Sequence, residues 1–520
     1  MRSAALFDSA MAGLQSAQAG MMVTSQNVTG SSVDGYVRRT SNPRINGMSP
    51  TSIDLSGTSF AVEGFSRQFD NLLQGQVLSQ QSKTTFTQTL VQSVTPLDAM
   101  LTDPATSIAT ALGNFFNAAG SIANEPSNYA YQQSLIGTAR QVADRIRGIA
   151  NVVGQISSNA STALADVLNQ ANTLTPQLAS VNAKIRASAT PGLSYPSADL
   201  LDERDRIVAK LQELVGGTTL INEDGTASYM VSGQHLVDRE IANTFANETG
   251  TSPVRSDLPL TGLKIKLASQ DSRNPVLVPI VLNPVLDHGR SVMLPGQSVL
   301  QEGKAGAYIH LIQTFVPTVQ KSVDLLAAQL VRKINTAVDA SGGQIEPIFG
   351  FKSTTSNADP ITNGPLLNNL FGTPDASYAD IIEASNPQSR HYNRNVEASL
   401  MAPELDARQF IVTGTFDASQ FANMDTSASS SIENLRESFS SPLTFISSSI
   451  ATTVATWKND NRANEALQKT LNDQKSAITG VNLDEEAANL VKYQQLYNAS
   501  SKLMQTGRQM FDTLLGMLSS

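Results

Sequence analysis

NLDEEAANLVKYQQLYNASSKLMQTGRQMFDTLLGMLSS, residues 482–520, carries an apolar side chain at every seventh position: Leu483, Leu490, Tyr497, Met504, Phe511 and Leu518. Leu496, Leu503, Met510 and Met517 accompany that line. Recurrence by sevens marks a helix that packs along one seam. Asn482 is placed to cap it, Glu485 three positions on completes a capping box, and Asp484 and Glu486 suit the positive helix end. At about 1.5 Å per residue the roughly 36 residues from Leu483 to Leu518 predict a rod ~54 Å long. Burying each large apolar side chain is worth about 1.5–3 kcal/mol, so this face calls for a partner.

Working outward, a shorter seam stands at the other end of the chain. Phe7, Leu14, Met21 and Val28 fall seven apart, with Ala4 and Met11 on the adjacent line and Ala10, Ala12, Ala17 and Ala19 around them. Asn27 to Tyr36 then closes the helix in a polar, glycine-bearing turn. The N-terminal seam covers only part of the C-terminal one. The two are expected to pack on each other or on neighbouring subunits, and the imbalance favours other chains.

The longest periodic segment spans about Ser127 to Thr190. Val142, Ile146, Ile149, Val153, Ile156, Ala160, Ala163, Val167, Leu174, Leu178, Val181 and Ile185 follow a three-four alternation, and Pro176 is expected to kink or break the helix. Leu200, Leu201, Ile207, Leu211 and Leu214 predict a further helix over Ser197–Val215. Beyond Gly216-Gly217 the texture becomes that of β-hairpins, with Asp224-Gly225 as a tight turn, and stays β-like to about Leu300. Helical periodicity returns at Tyr308–Val338, lapses in the Ser/Asn/Pro/Gly-rich stretch 352–430, and resumes from Ile432. The pattern predicts an α+β multidomain protein, with long terminal and flanking helices forming coiled-coil or bundle domains and β-rich domains inserted in the middle. The expected divisions are an N-terminal helix and linker (1–60), a helical bundle in three parts (61–215, 301–351 and 431–480), a β-rich insert (216–300), a loop- and β-rich outer insert (352–430) and a C-terminal helix (481–520).

Composition excludes more than it assigns. Of 520 residues only 16% are charged, against roughly 25% in ordinary soluble domains. The chain has no cysteine, which removes disulfides, thiolate metal sites and a cysteine nucleophile. A net charge of −9 argues against nucleic acid as a partner. No apolar window is long enough for membrane insertion, and Asp8, Ser9, Gln15, Ser16 and Gln18 interrupt any signal-peptide core. A cytosolic protein and one exported without a cleaved signal both remain open.

Catalytic signals are absent. His235, His288, His310 and His391 show no metal-ligand spacing, and no nucleophile elbow, Walker loop or dinucleotide fingerprint occurs. Asn222-Glu223-Asp224-Gly225 lacks the remaining spacing of a calcium loop and reads as a hairpin turn. The acid pairs Asp202-Glu203 and Glu485-Glu486 lie at helix starts, where the helix dipole accounts for them. No catalytic, cofactor-binding or metal residue is expected, and no cofactor.

Gly480, Val481, Asn482, Leu483, Asp484, Glu485 and Glu486 open the run GVNLDEEAANL, which Tyr493-Gln494-Gln495, Tyr497 and Ala499 extend. This run resembles the C-terminal signature of the flagellar hook-associated proteins of the hook–filament junction. At the N-terminus, Ser25, Asn27, Gly35, Tyr36 and Arg38 match the motif shared by flagellar rod, hook and hook-associated proteins, whereas Gln26, Gly30, Asp34, Val37 and Arg39 depart from it. Asp199–Val215 and the helix around Val316–Val338 resemble internal segments of the same family.

The resemblance implies a non-enzymatic structural subunit of the bacterial flagellum, secreted by the flagellar type III apparatus and required for filament assembly and motility. Its implied partners are the hook protein, a second hook–filament junction protein, copies of itself in a ring, and a cytosolic export chaperone at the C-terminal region. Phe7, Met11, Leu14, Met21 and Val28, with Leu490, Tyr497, Met504, Phe511 and Leu518, would be assembly seams. Another axial protein, of hook or rod, and an extracellular adhesin carried by the central β domains are the alternatives.

Overall fold

The computed structural model describes residues 2–33, 35–46, 59–103, 107–125, 127–188, 197–247, 263–267, 277–279, 285–287, 290–292, 300, 302–339, 347–353, 359–363, 365–371, 378–386, 389–413 and 432–518. In chain order the elements are α1 (Arg2–Gly30), the hairpin β1 (Arg39–Asn46) and β2 (Ser59–Arg67), and the helices α2 (Asn71–Thr102), α3 (Ile108–Asn124), α4 (Tyr129–Ser188) and α5 (Ala198–Val215). Nine short strands follow: β3 (Thr218–Ile221), β4 (Ala227–Val231), β5 (Gln234–Asp238), β6 (Ile241–Ala242), β7 (Thr244–Asn247), β8 (Leu263–Lys266), β9 (Leu277–Pro279), β10 (Val285–Asp287) and β11 (Arg290–Val292). Then come α6 (Gly303–His310), a π-helical turn (Leu311–Phe315), α7 (Val316–Asp339), β12 (Phe349–Phe351), α8 (Pro365–Leu370), α9 (Tyr378–Ala384) and α10 (Arg394–Leu400). Two 3₁₀ turns lead into β13 (Phe410–Val412), and α11 (Ile432–Thr479) and α12 (Leu483–Leu518) complete the chain.

The α+β class expected from periodicity is the one observed, with α4 as its spine. Val142, Ile146, Ile149, Val153, Ile156, Val167, Leu178, Val181 and Ile185 are buried along it. The seam drifts, however, and Leu164 is buried where Ala163 was expected. A 3.6-residue helix rotates slowly against a seven-residue pattern, so one fixed line cannot hold over this length. Pro176 does not break the helix, which runs through it. The Asn172 carbonyl, which a proline nitrogen cannot serve, lies 3.5 Å from the Thr175 hydroxyl that donates to it.

Around α4 pack α3, α5, α6, α7 and the antiparallel meander β3-β4-β5-β6, while β7-β8-β9 forms a second small sheet. The β3–β4 hairpin turns through Asn222–Thr226, as the Asp224-Gly225 signal predicted. Helical asparagines hold strand backbones as a neighbouring strand would. Asn172 accepts from the Phe245 N–H (2.7 Å) and donates to its carbonyl (3.0 Å). Asn182 does the same with Ala227 (3.0 and 2.8 Å), and Asn335 accepts from Ile348 N–H while donating to the Phe349 carbonyl. Each satisfies backbone groups that burial would otherwise leave without partners.

The stretch 352–430, expected as loop and strand, differs most. Its described residues form α8, α9 and α10 and return through β13, which pairs antiparallel with β12. Leu367, Tyr378, Leu400 and Phe410 are buried in the main core, not displayed outside it. These helices are six or seven residues long. A segment that short shows too few turns for periodicity to register. At the centre Phe410 stacks on Phe349 (ring centroids 5.2 Å apart) and meets Phe351 edge-on at 5.8 Å, and Phe349 in turn meets Phe115 of α3 at 5.6 Å.

Candidate functional site

The two terminal helices, α1 and α12, pack on each other along their length, and no helix outside this pair packs substantially on either among the described residues. The side chains that α1 brings to the contact are small. Ala10, Ala17, Thr24 and Asn27 are buried on α1, and Glu486, Ser500 and Gly507 on α12. A Cβ added to Gly13 would fall 2.3 Å from Ser500 Oγ, one on Gly20 2.4 Å from the Tyr493 ring, and one on Gly507 3.4 Å from the Phe7 ring. The helices therefore run antiparallel in heptad register, so close that side chains at 13 and 20 would occupy their neighbours' space.

The apolar lines read from sequence lie beside this contact. Leu14 and Met21 are half-buried, Phe7 is half-buried against Gly507, and Met11 and Val28 are exposed. On α12 Met504 is half-buried. Leu483, Leu490, Val491, Leu496, Tyr497, Leu503, Met510 and Phe511 are 37–55% exposed. The side chain of Leu518 lies outside the described residues. The intrachain contact thus uses the small-residue line and leaves the large-residue line of α12 open.

Where the rod meets the rest of the molecule, the motif residues gather. Asn27 near the end of α1 accepts from the Arg39 N–H (2.9 Å) and from the Tyr36 hydroxyl (2.9 Å), and donates to the Arg39 carbonyl (3.0 Å). Gly35 takes φ +77° in the turn between them, a conformation that disfavours side chains. Gly480 follows the last residue of α11 in a turn that leaves no space for a Cβ, which would meet the Ser476 carbonyl oxygen, and Val481 is half-buried beside it. Asn482 caps α12 as predicted, accepting from the Asp484 N–H at 3.0 Å. The Glu485 carboxylate is turned to Arg38 Nη1 at 2.8 Å, while Arg38 Nε donates to the buried Glu486 at 2.9 Å.

Glu486 and Asp202 therefore do more than complement a helix dipole. Asp202 lies between Arg39 (3.2 Å) and Arg67 (2.9 Å), with Arg39 also on Asp199 at 2.5 Å and Arg67 on Asp205 at 2.6 Å. Burial pushes the Asp202 carboxyl above the ordinary aspartate range against the pull of Arg67 and Arg39. Arg39 is held protonated more firmly than usual: burial opposes its charge, but the bonds to Asp199 and Asp202 outweigh it. Burial likewise raises Tyr36, whose ring lies 4.9 Å from the Arg39 guanidinium.

Arg39 was visible in the sequence only as a departure from the motif, and Arg67 carried no local signal at all. Their partners lie some 130–160 positions away in α5, a pairing that only the β1–β2 hairpin creates.

Among the described residues no group of three or more His, Asp or Glu is placed to hold a metal ion, and no helix is long and apolar enough to cross a membrane. His310 lies between Phe86 and Trp457, His391 pairs with Glu383 at the surface, and His288 falls outside the described residues.

Comparison with known proteins bears on the same elements. The profile of the flagellar hook-associated protein FlgK helical domain matches residues 94–346, and that of the flagellar basal body rod FlgEFG protein C-terminal matches residues 476–517. The chain is 23% identical to flagellar hook-associated protein 1 of Salmonella typhimurium and of Escherichia coli K12, in each case over 98% of this chain and 99% of the relative. Against the Bacillus subtilis protein of that name it is 20% identical, over 98% and 97%. Among solved structures, the flagellar hook junction protein FlgK from Burkholderia pseudomallei is similar with a TM-score of 0.44 and 21% identity, over 54% of this chain and 47% of that one.

Proposed function

As a member of the FlgK family of flagellar hook-associated proteins, this chain, we propose, is the structural subunit that joins hook to filament and on which the filament is built. The observation that carries this reading is the open apolar face of α12. Eight large side chains stay 37–55% exposed although α1 is already docked beside them. Large apolar side chains left open in this number mark an interaction site.

The occupants proposed for that face are copies of this chain in a ring, the hook protein on one side and a second junction protein on the other. Before assembly, a cytosolic chaperone would cover the C-terminal region, and the chain would leave the cell through the flagellar type III apparatus to an extracellular position. The role is structural, not enzymatic. A hook or rod identity is less well supported: the rod-protein profile reaches only residues 476–517, whereas the match at 94–346 is to the FlgK helical domain.

Deleting the gene tests the reading. The expected phenotype is cells that complete hooks, carry no filaments, release unpolymerised filament subunits into the medium and fail to swim. Filaments of normal length on the deletion strain would overturn it.

A further inference from the structure

Arg38 and Arg39 are neighbours at the entry to β1, and successive side chains of an extended segment point to opposite sides. Arg38 accordingly turns to the first turn of α12 and grips Glu485 and Glu486. Arg39 turns to the first turns of α5 and grips Asp199 and Asp202. The backbone between them is tied as well: the Arg38 N–H donates to the last carbonyl of α11, Thr479, at 2.9 Å, and its carbonyl accepts from the Gln68 N–H at 2.9 Å. Arg67, which faces Arg39 across the hairpin, adds a third guanidinium on Asp202 and Asp205.

Two helix N-termini converge here, each with a partial positive charge that two arginines alone would aggravate. The carboxylates of those first turns neutralise both. Arg39, Arg67, Asp202 and Glu486 are all at least nine-tenths buried, so these pairs escape the screening that weakens surface ion pairs.

We propose that this cluster is an ionic joint that fixes the direction of the terminal helix pair relative to the helical body, with Arg38 holding the rod and Arg39 holding the body. Among the described residues, other substantial packing of the rod is that of α1 against β1 and β2, the strands that carry Arg39 and Arg67. The joint is a property of the folded chain and stands or falls apart from the hook–filament reading.

Charge reversal tests it on the full-length protein. Arg38→Glu and Glu486→Arg are made singly and together, and amide exchange is followed at Arg38 and Gln68. Removing one partner of a buried pair is strongly destabilising, so each single variant is expected to speed exchange at both amides by about tenfold or more. The double variant, with the pair restored in reverse, is expected to return to within about threefold of the parent. Fluorescence of Trp457, the single tryptophan, which packs against His310 and Phe315 in the body, checks that the body stays folded. Where a reversal disturbs it, Glu486→Gln, which removes the charge and keeps the shape, replaces it and is expected to speed exchange. Single variants that exchange like the parent, or a double variant no slower than the singles, would overturn the joint. A deletion strain that keeps its filaments would contradict the proposed function and leave these exchange rates to decide the joint.

Discussion

Gly20→Leu will part the terminal helices while leaving the body folded. A Cβ at this position already lies 2.4–2.5 Å from three atoms of the Tyr493 ring, and leucine adds a branched isopropyl group beyond it. Gly20→Ala alone sets two effects against each other. Alanine favours a helix interior over glycine by about 1 kcal/mol, while forcing a methyl into a filled contact costs about 1–3 kcal/mol. The second should win here, because three ring atoms are met at once and the helix spacing is also fixed at the Gly13–Ser500 and Gly507–Phe7 contacts. Gly13→Ala makes the internal control. Its neighbours are the Ser500 hydroxyl, which can rotate away, and the Ser500 Cβ at 3.2 Å, so that variant should cost less than Gly20→Ala. Amide exchange across α1 and α12 measures all three. Gly20→Leu should lose protection in both helices, and removing the ring with Tyr493→Ala should restore part of it in the Gly20→Ala background. Unchanged protection in Gly20→Leu would mean that the close register does not hold the pair.

Phe410→Ala carries the second large effect, at the opposite end of the architecture. The ring is fully buried, stacks on Phe349 and meets Phe351 edge-on across the β12–β13 pair. Truncating a buried phenylalanine costs about 3–5 kcal/mol, of which the unfilled cavity is a substantial part. For a body of this size that corresponds to a fall of roughly 5 °C in Tm, readable by calorimetry or by Trp457 fluorescence. Exchange in α1 and α12 should not change, since distant sites with no shared partner act independently. A loss below about 1 kcal/mol would show that the 352–430 stretch is an appendage, not part of the core.

These two residues also show where the sequence could be read and where it could not. The terminal rods were legible because a seven-residue recurrence over 36 residues in α12 leaves few other readings. What the recurrence did not reveal is which of two parallel lines the chain itself uses. Apolar volume drew attention to Leu483, Leu490, Tyr497 and Phe511, whereas the intrachain contact falls on Gly13, Gly20, Tyr493 and Ser500. Small residues carry no hydrophobic signal, yet they alone let two backbones approach this closely. Phe410 was missed for a different reason. Its neighbours on the chain form three-residue strands and 3₁₀ turns, and its core partners Phe349 and Phe115 are brought to it only by tertiary structure.

Asp202 makes the same point for charge. At a helix start the dipole explains an acid, so nothing local pointed to two arginines from a hairpin beyond 130 positions away. The neutral polar character of the chain also finds a physical place. Gln80 and Thr87 of α2 bond Asn464 and Asn461 of α11, and helical asparagines replace missing strands, so uncharged side chains do structural work usually left to apolar ones.

On the proposed function, assembly buries the open face of α12. The natural absence of cysteine makes a direct measurement possible, since Leu503→Cys places one unique thiol on that face. Its rate of reaction with a maleimide is compared between the purified chain, intact flagella, and the same flagella after dissociation. Fast labelling of the purified chain, protection by at least about tenfold in intact flagella, and full recovery on dissociation are expected, as burial in a close-packed interface requires. Equal labelling rates in the free chain and in intact flagella would contradict it.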